Sequence, residues 1–293
     1  MRVVSAVAAV ALGIAVAAGS VVVGGSYLTG EKVVDDLLVY IGLKAPEEAA
    51  PPTPSAPAAQ PAAPQDAAPA ADRELPAPPA RELAWTAWSE EEAPDYWRVI
   101  GPAVVDVEIP AGRIAYSPLD SLGRAGRAAG TIDYATMAAG IARERTDISN
   151  LKPSGWGRNA QTEIELPENR VYRGYFWNRS HLIAKSLGGA DELENLVCGT
   201  RTQNVGANDG QGGMAWCENL VRSWLEDHPA GTVFYSSQPV YEGDEPVCRS
   251  VIVDIRSSDG ELDLEVEVYN AAKGHEIDYA SGGFTTAVQD AAA

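Results

Sequence analysis

The chain has 293 residues and a formal net charge of −19 at pH 7. An acid excess of this size excludes a protein that coats nucleic acid through a broad basic surface. It leaves open an enzyme that acts on nucleic acid, because a local cationic cleft and a bound divalent ion suffice for that chemistry.

Residues 1–30 have the pattern of an export segment. Met1 and Arg2 precede an apolar run, rich in Ala, Val and Gly, that extends to about Leu28. A signal peptide has an apolar region of about 7–15 residues, whereas a membrane span needs about 20. The run is long enough for an uncleaved membrane anchor, yet the small residues Ala15-Val16-Ala17 also permit cleavage, so both alternatives stay open. Either one predicts an extracellular or cell-surface protein.

Residues 31–82 are predicted to form a disordered linker. Ala45–Pro79 consists mainly of Ala and Pro and has almost no large apolar side chains. Such a segment cannot bury enough surface to offset the entropy lost on ordering. Residues 83–293 are enough for one domain with a hydrophobic core. The sequence therefore predicts a spacer that carries a single functional domain.

Two helices and a β-prone segment are predicted in the first part of this domain. Apolar residues recur at helical spacing in Thr131–Arg145, where Thr131 is suited to cap the helix, and in Met214–Asp227. Between the helices, Tyr172–Ile183 is aromatic and β-prone up to His181. The pattern thus places a histidine at the end of a strand.

Three strands are predicted to follow the second helix. They are Thr232–Pro239, Ser250–Arg256 and Glu261–Tyr269, and Ser257–Gly260 joins the last two as a hairpin. Apolar and acidic residues alternate cleanly in Glu261–Tyr269, which is typical of an antiparallel sheet with one face in water. The predicted fold class is α+β, with a central antiparallel sheet and flanking helices.

The middle of the chain carries the side chains of a metal-assisted phosphodiesterase. His181 can take a proton from water near neutral pH. Arg179 can hold a phosphate through its planar guanidinium group. Asn204 and Glu218 offer the hard oxygen ligands that Mg²⁺ prefers. Asn195 lies between the histidine and these ligands and is either a turn former or a residue that holds the His181 loop.

The run Asn178-Arg179-Ser180-His181, followed by Asn204 and Glu218, resembles the signature of the DNA/RNA non-specific endonuclease family, the ββα-metal nucleases. It is similar in particular to secreted or membrane-anchored DNases and DNA-uptake nucleases of Gram-positive bacteria. That signature is Asp-Arg-Gly-His, then a metal-binding Asn and a Glu on the next helix. The resemblance extends from about Tyr116 to about Gly282 and implies a ββα-metal catalytic motif within residues 83–293.

The resemblance also implies a role for each of these residues. His181 would be the general base, Asn204 the direct ligand of Mg²⁺, and Glu218 a ligand through water. Arg179 would add a second cation, and Asn195 would hold the catalytic loop. Mn²⁺ is an alternative to Mg²⁺. No step uses a 2′-hydroxyl, so DNA and RNA would both be cut, giving products with 5′-phosphates.

Two positions depart from the family signature. Asn178 stands where the family usually has Asp, and Ser180 stands where it has Gly. A carboxamide removes one negative charge from the surroundings of the metal, so a lower metal affinity or rate is expected. Because the histidine and its arginine are retained, we interpret the change as tuning of activity.

Basic side chains are concentrated around the motif. Arg173, Lys185 and Arg201 are candidates to bind DNA and RNA, although the same residues are also compatible with ordinary solvated charges. The membrane would be a further partner if the N-terminal segment stays uncleaved. An immunity or inhibitor protein would be another partner if the chain is a delivered toxin.

The cysteines leave more than one interpretation open. Cys198, Cys217 and Cys248 belong to a chain that is predicted to be exported, so one disulfide with one remaining thiol is expected, without an assigned pairing. A zinc site is disfavoured, because neither Cys-x-x-Cys nor His-x-x-x-His spacing occurs. Two other functions remain possible. One is a surface module that uses the fold for binding alone, and the other is an acyl hydrolase that pairs Cys198 with His181.

Overall fold

The computed structural model describes residues 14–17, 20–23, 26–29, 76–207 and 212–286. The chain divides into two units, Met1–Ala68 and Pro69–Ala293. In the first unit, three short antiparallel strands are described: β1 (Ile14–Ala17), β2 (Ser20–Val23) and β3 (Ser26–Thr29). Among the described residues, no helix has both the length and the apolar character that a membrane crossing requires. Most of the predicted export segment and linker lies outside the described residues, and there both stay predictions. The predicted end of the linker at residue 82 was wrong, because Pro79 accepts a hydrogen bond from Arg127 and Arg81 donates one to Asp254.

The second unit contains mainly short strands and a few helices. In chain order they are β4 (Trp97–Gly101), β5 (Arg113–Tyr116), β6 (Ala128–Asp133), α1 (Tyr134–Ala142), β7 (Gln161–Leu166), β8 (Arg170–Tyr175), β9 (Trp177–His181), β10 (Leu196–Thr200), α2 (Arg201–Val205), α3 (Gly213–Asp227), β11 (Thr232–Val240), β12 (Ser250–Ser257), β13 (Asp263–Tyr269), β14 (His275–Asp278) and β15 (Gly283–Thr286). Single 3₁₀ turns occur at Trp156–Arg158, Lys185–Leu187 and Leu193–Asn195.

A six-stranded antiparallel sheet forms the centre of this unit, in the order β4-β13-β12-β11-β6-β5. One face of the sheet carries the main hydrophobic core, where Val251, Val253 and Ile255 of β12 pack with Met214 and Val221 of α3. Three two-stranded sheets, β7–β8, β9–β10 and β14–β15, complete the described fold. The α+β class and the central antiparallel sheet are confirmed, and the three strands predicted at its centre form β11, β12 and β13.

The other face of the sheet is contacted by a segment that we term the strap, residues 78–86. Arg81 donates to Asp254 at 2.8 Å and to Glu265 at 2.5 Å, and the backbone and hydroxyl of Thr86 donate to Glu267 at 3.0 and 2.9 Å. Asp254 and Glu267 are consequently buried, with exposures of 1% and 2%. The prediction that this face lies in water was wrong, because the strap supplies the cation and hydrogen-bond donors that buried carboxylates require.

The start of the first helix also differs from the prediction. Thr131 lies in β6, where it pairs with Phe234 of β11, and the helix begins only at Tyr134. Asp133 is the N-cap, and its side chain accepts a hydrogen bond from the Thr136 backbone at 2.7 Å. An aspartate is as good a cap as threonine, so the tertiary pairing of β6 decides where the helix starts.

The predicted strand Tyr172–Ile183 is divided at Phe176 into β8 and β9, which have different partners. β8 pairs with β7, whereas β9 pairs with β10. Phe176 itself is fully buried and uses its backbone to bind Ala160 and Arg201. The division matters for the site, because it lets β9 form an independent hairpin with β10.

Candidate active site

The β9–β10 hairpin and α2 place the histidine and the asparagine on adjacent elements. His181 is the last residue of β9 and pairs with Leu196 of β10. The chain then enters α2, which is capped by the hydroxyl of Thr200 at 2.9 Å from the Gln203 backbone nitrogen. Asn204 follows within one turn and accepts a hydrogen bond from the Ser180 hydroxyl at 3.1 Å. Two strands and a helix thus bring the two predicted functional residues together.

A cleft of about 730 Å³ opens at this point. Helix α3 contributes Glu218 and Arg222 to its wall, and the 3₁₀ turn after β9 contributes Lys185. The polar and charged side chains that line the cleft are Arg145, Thr146, His181, Lys185, Ser186, Asp191, Asn204, Glu218, Arg222 and Glu226. Four of the predicted site residues, His181, Lys185, Asn204 and Glu218, therefore line one common space.

His181 is paired with a carboxylate that the sequence reasoning missed. Its Nε2 lies 2.9 Å from Oδ1 of Asp191, and both side chains are mostly buried. Burial lowers the pKa of His181 below its ordinary value, and Arg143 lowers it further, while Asp191 opposes both. For Asp191 burial would raise the pKa, but hydrogen bonds from His181 and Thr146 and the charge of Arg143 lower it overall.

These shifts fix the protonation of the pair at neutral pH. Asp191 is ionised and can only accept a hydrogen bond, so His181 must carry its proton on Nε2. The Nδ1 lone pair is then available to take a proton. The one local signal for Asp191 is its place in the Gly-Gly-Ala-Asp run between the two strands of the hairpin, which does not by itself indicate contact with the histidine.

Asn195 holds the loop that carries His181. Its Oδ1 accepts from the Ile183 backbone at 2.9 Å, and its Nδ2 donates to the carbonyls of Ile183 at 2.9 Å and Ala190 at 2.8 Å. The loop closes tightly at Gly189, where an added Cβ would lie 1.9 Å from the Ile183 carbonyl oxygen. Asn195 is fully buried and does not line the cleft, so its side chain contacts the loop and not the space that the loop borders.

The donor set of the cleft fits a hard divalent cation. Asn204 contributes a carboxamide oxygen and Glu218 a carboxylate, which are the ligand types of Mg²⁺. Burial raises the pKa of Glu218 to about 8, against the opposing charge of Arg222. Burial disfavours the ionised form of Glu218, and a nearby cation would stabilise that form. The residues present are therefore suited to the predicted metal.

Arg179 does not line the cleft. Its Nε donates to the Leu151 carbonyl at 2.5 Å, its Nη2 donates to the Ser149 carbonyl at 2.6 Å, and the guanidinium lies 4.1 Å from the ring centre of Trp156. These contacts anchor the loop before β7. A direct phosphate contact by Arg179 stays a prediction, and the contacts seen are those of a residue that braces the loop.

Two other cations do face the cleft. Arg222, which the sequence reasoning did not single out, donates from Nη1 to the Ser186 hydroxyl at 2.8 Å. Lys185, which was predicted to bind nucleic acid, donates to the carbonyls of Gly140 at 3.0 Å and of Arg143. The lysine thereby binds carbonyl oxygens at the end of α1, where a cation interacts favourably with the helix dipole. Both cations contribute positive charge to the cleft.

Arg173 and Arg201 lie outside the cleft, in a separate groove of about 440 Å³ beside it. Arg173 is on the exposed face of β8 and pairs with Glu163 at 2.7 Å. Arg201 begins α2, and its guanidinium lies 5.2 Å from the ring centre of Tyr172. Of the predicted nucleic-acid contacts, only Lys185 therefore shares a wall with His181.

All three cysteines are free thiols, contrary to the predicted disulfide. Cys217 and Cys248 belong to the main core, whereas Cys198 belongs to a second cluster with Phe176 and Trp177. Burial raises the pKa of Cys198 well above its ordinary value. A buried thiol that resists ionisation is a poor nucleophile, and Cys198 does not line the cleft of His181. The acyl-hydrolase alternative has no support from this geometry.

Comparison with known proteins gives concordant matches. The family model described as DNA/RNA non-specific endonuclease matches residues 106–259, more than half of the chain. A deoxyribonuclease of Streptococcus dysgalactiae subsp. equisimilis is 32% identical, with coverage of 64% of this chain. This chain spans 64% of the length of that relative.

Two solved structures are similar in fold. The Sda1 nuclease with bound zinc ion has 34% sequence identity and a TM-score of 0.64, and the match covers 68% of this chain and 99% of the nuclease. NucA from Streptococcus agalactiae with magnesium ion bound has 23% identity and a TM-score of 0.51, and the match covers 63% of this chain and 83% of NucA.

Proposed function

The chain belongs to the DNA/RNA non-specific endonuclease family, and from this premise we propose that it is a divalent-metal-dependent endonuclease that hydrolyses phosphodiester bonds of both DNA and RNA. The observation that carries the proposal is the common cleft of the His181–Asp191 pair, Asn204 and Glu218. A base and two oxygen ligands that face one space are what hydrolysis of a phosphodiester by water requires.

His181 is the general base in this proposal. It is neutral at pH 7, because burial lowers its pKa, and its Nε2 proton is directed at Asp191 at 2.9 Å. Nδ1 then accepts the proton of a water molecule that attacks phosphorus. Asp191 orients the ring and stabilises the imidazolium that forms, and Asn195 keeps the loop in place through the Ile183 backbone.

Asn204 would hold the metal directly, and Glu218 would hold it through water. Mg²⁺ is the expected ion and Mn²⁺ the alternative, since both prefer oxygen ligands. The similar Sda1 nuclease was solved with a bound zinc ion, which supports a divalent cation in this chain. When bound, the ion would neutralise the charge that develops on the phosphate and on the departing 3′ oxygen. Departure of that oxygen leaves a 5′-phosphate, and no group in the scheme acts on a 2′-hydroxyl.

Cations of the chain itself would hold the substrate phosphates. Arg222 and Lys185 line the cleft beside Glu218 and His181 and counter the overall negative charge locally. Arg179 would contribute indirectly, because it donates hydrogen bonds to the carbonyls of Leu151 and Ser149 and so stabilises the loop before β7. The N-terminal segment would export the domain to the cell surface or the medium, where DNA and RNA are the substrates and an immunity or inhibitor protein would be a further partner.

Metal-dependent nicking of plasmid DNA by the purified protein tests the proposal. We expect cleavage with Mg²⁺, no cleavage with a chelator, and cleavage of an RNA transcript under the same conditions. A binding module on the same fold would retain the plasmid without cutting it. An enzyme that used Cys198 would instead be metal-independent and sensitive to thiol reagents.

A further inference from the structure

We propose that the groove beside the cleft, formed by Arg170, Tyr172, Arg173 and Arg201, binds a backbone phosphate of the substrate strand a few nucleotides from the scissile bond. The groove would make the enzyme favour long strands over short ones. This inference rests on the proposed endonuclease function and extends it to a second point of contact with the polymer.

Helix α2 connects the groove to the cleft. Arg201 is its first residue and lines the groove, whereas Asn204 lines the cleft. Three residues of α-helix rise by about 4.5 Å. Successive phosphates of one strand in B-DNA are about 3.4 Å apart along the axis. A strand whose scissile phosphate lies at Asn204 would therefore reach the groove within a few nucleotides.

Arg201 and Arg173 both keep N–H groups that an anion can reach. The guanidinium of Arg201 is held over the Tyr172 ring at 5.2 Å, and such a contact leaves its in-plane N–H groups able to donate to phosphate. Arg173 is 69% exposed, and its pair with Glu163 lies in solvent. Exposed ion pairs are weak, so a phosphate can replace Glu163 as the partner of Arg173.

The walls of the groove suit a nucleic-acid strand better than a small free anion. Leu166 and Val171 add apolar surface beside the arginines and Tyr172, which gives the sugar and base a surface to contact. The end of the β7–β8 hairpin contributes most of the lining of the groove. A chain of net charge −19 that places three arginines in one groove concentrates positive charge where a polyanion would lie.

Steady-state cleavage of single-stranded DNA of graded length tests the inference in the full-length protein. We compare Arg173→Ala and the double variant Arg173→Ala/Arg201→Ala with the unmodified protein, using a twenty-mer and the shortest oligonucleotide that is cut. KM for the twenty-mer should rise and kcat should stay the same. The slope of log KM against log salt concentration should fall by about 0.7 for each phosphate of a single strand that the variant no longer neutralises. Neither variant should change KM for the shortest substrate.

Arg256→Ala is the matched control. Arg256 is also exposed, at 49%, and pairs with Asp263 at 3.6 Å, but it lies on β12 rather than near α2. It should leave KM for both substrates unchanged. Equal effects of the groove variants on short and long substrates, or no effect on the twenty-mer, would overturn the inference.

A separate measurement distinguishes failure of the endonuclease proposal from failure of the groove inference. If the unmodified protein cuts no substrate, the endonuclease proposal fails, and fluorescence anisotropy with the labelled twenty-mer in chelator still tests the groove. Weaker binding by the double variant, with a smaller salt dependence, supports the groove. Unchanged binding contradicts it.

Discussion

Asp191 Oδ1 lies 2.9 Å from Nε2 of His181, so the proposed base is half of a hydrogen-bonded pair whose partner is an ionised carboxylate. Asp191 opposes the effect of burial on the histidine and keeps the pKa of His181 from falling further. Removal of that charge should therefore lower the pKa of His181.

We expect Asp191→Asn to reduce kcat and to move the acidic limb of the pH–rate profile to lower pH. The sign follows from the base being active when neutral, since a lower pKa keeps it neutral in more acidic solution. A profile of kcat/KM against pH at saturating metal measures this limb. A limb that stays in place or moves to higher pH would contradict the pairing.

His181→Ala should reduce kcat by about 10²–10⁴-fold, the usual contribution of a general base, with DNA binding retained. Added imidazole should restore part of the rate, because the substitution leaves space where the ring lay. His228→Ala is the control, since that histidine is part-exposed and stacks on Trp224 at the end of α3. A His181→Ala variant with more than half of the normal activity would remove His181 from the mechanism.

Asn204→Ala should raise the Mg²⁺ concentration needed for half-maximal activity and also slow turnover, because the proposed direct ligand is removed. Glu218→Gln should have the smaller effect on metal requirement, as it acts through water. Titration of cleavage with Mg²⁺ separates the two variants. The reverse order of sensitivity would exchange the two ligand roles.

Asn178→Asp restores the acid that the family signature usually has. Asn178 lies opposite Gly199, on the same side of the hairpin as Ser180, which binds Asn204. The added carboxylate should lower the half-saturating Mg²⁺ concentration, and it should raise the pKa of His181 by favouring the imidazolium. The activity profile should then shift to higher pH. Cleavage measured against Mg²⁺ at several pH values tests both effects, and no change in either would place Asn178 outside the electrostatics of the site.

Arg81→Ala should destabilise the fold by on the order of 3 kcal/mol, because it leaves the buried carboxylate of Asp254 without its cation. Burial already raises the pKa of Asp254, so the destabilisation should shrink as the pH falls and the carboxyl group takes up a proton. Urea unfolding at neutral and acidic pH measures the effect. Arg173→Ala removes an exposed pair instead and should cost less than about 1 kcal/mol.

The parts of the fold that were predictable from the sequence are those in which the pattern is local. The alternation in β12 and β13 and the helical spacing in α3 reflect burial against one core, so the periodicity indicates the elements directly. His181, Asn204 and Glu218 were found because their chemistry is specific and their order matches a known signature. Each of them lines the cleft.

The parts that were missed depend on contacts between distant segments. The acidic residues of β13 looked solvated, because Thr86, which binds Glu267, lies 181 positions earlier in the chain. Arg179 looked like a phosphate ligand, and no local pattern indicates that the carbonyls of Ser149 and Leu151 come within reach. Asp191 belongs to a loop, whose conformation is set by closure through Asn195 rather than by periodicity.

The strap determines where on the domain an N-terminal attachment is made. Pro78 and Pro79 receive hydrogen bonds from Ser117 and Arg127, and Arg81 is fixed to the face of the sheet that does not carry the cleft. None of the strap residues lines the cleft. An enzyme immobilised on a bead or a carrier protein through a fusion N-terminal to the strap should therefore keep its cleavage rate on long polymers.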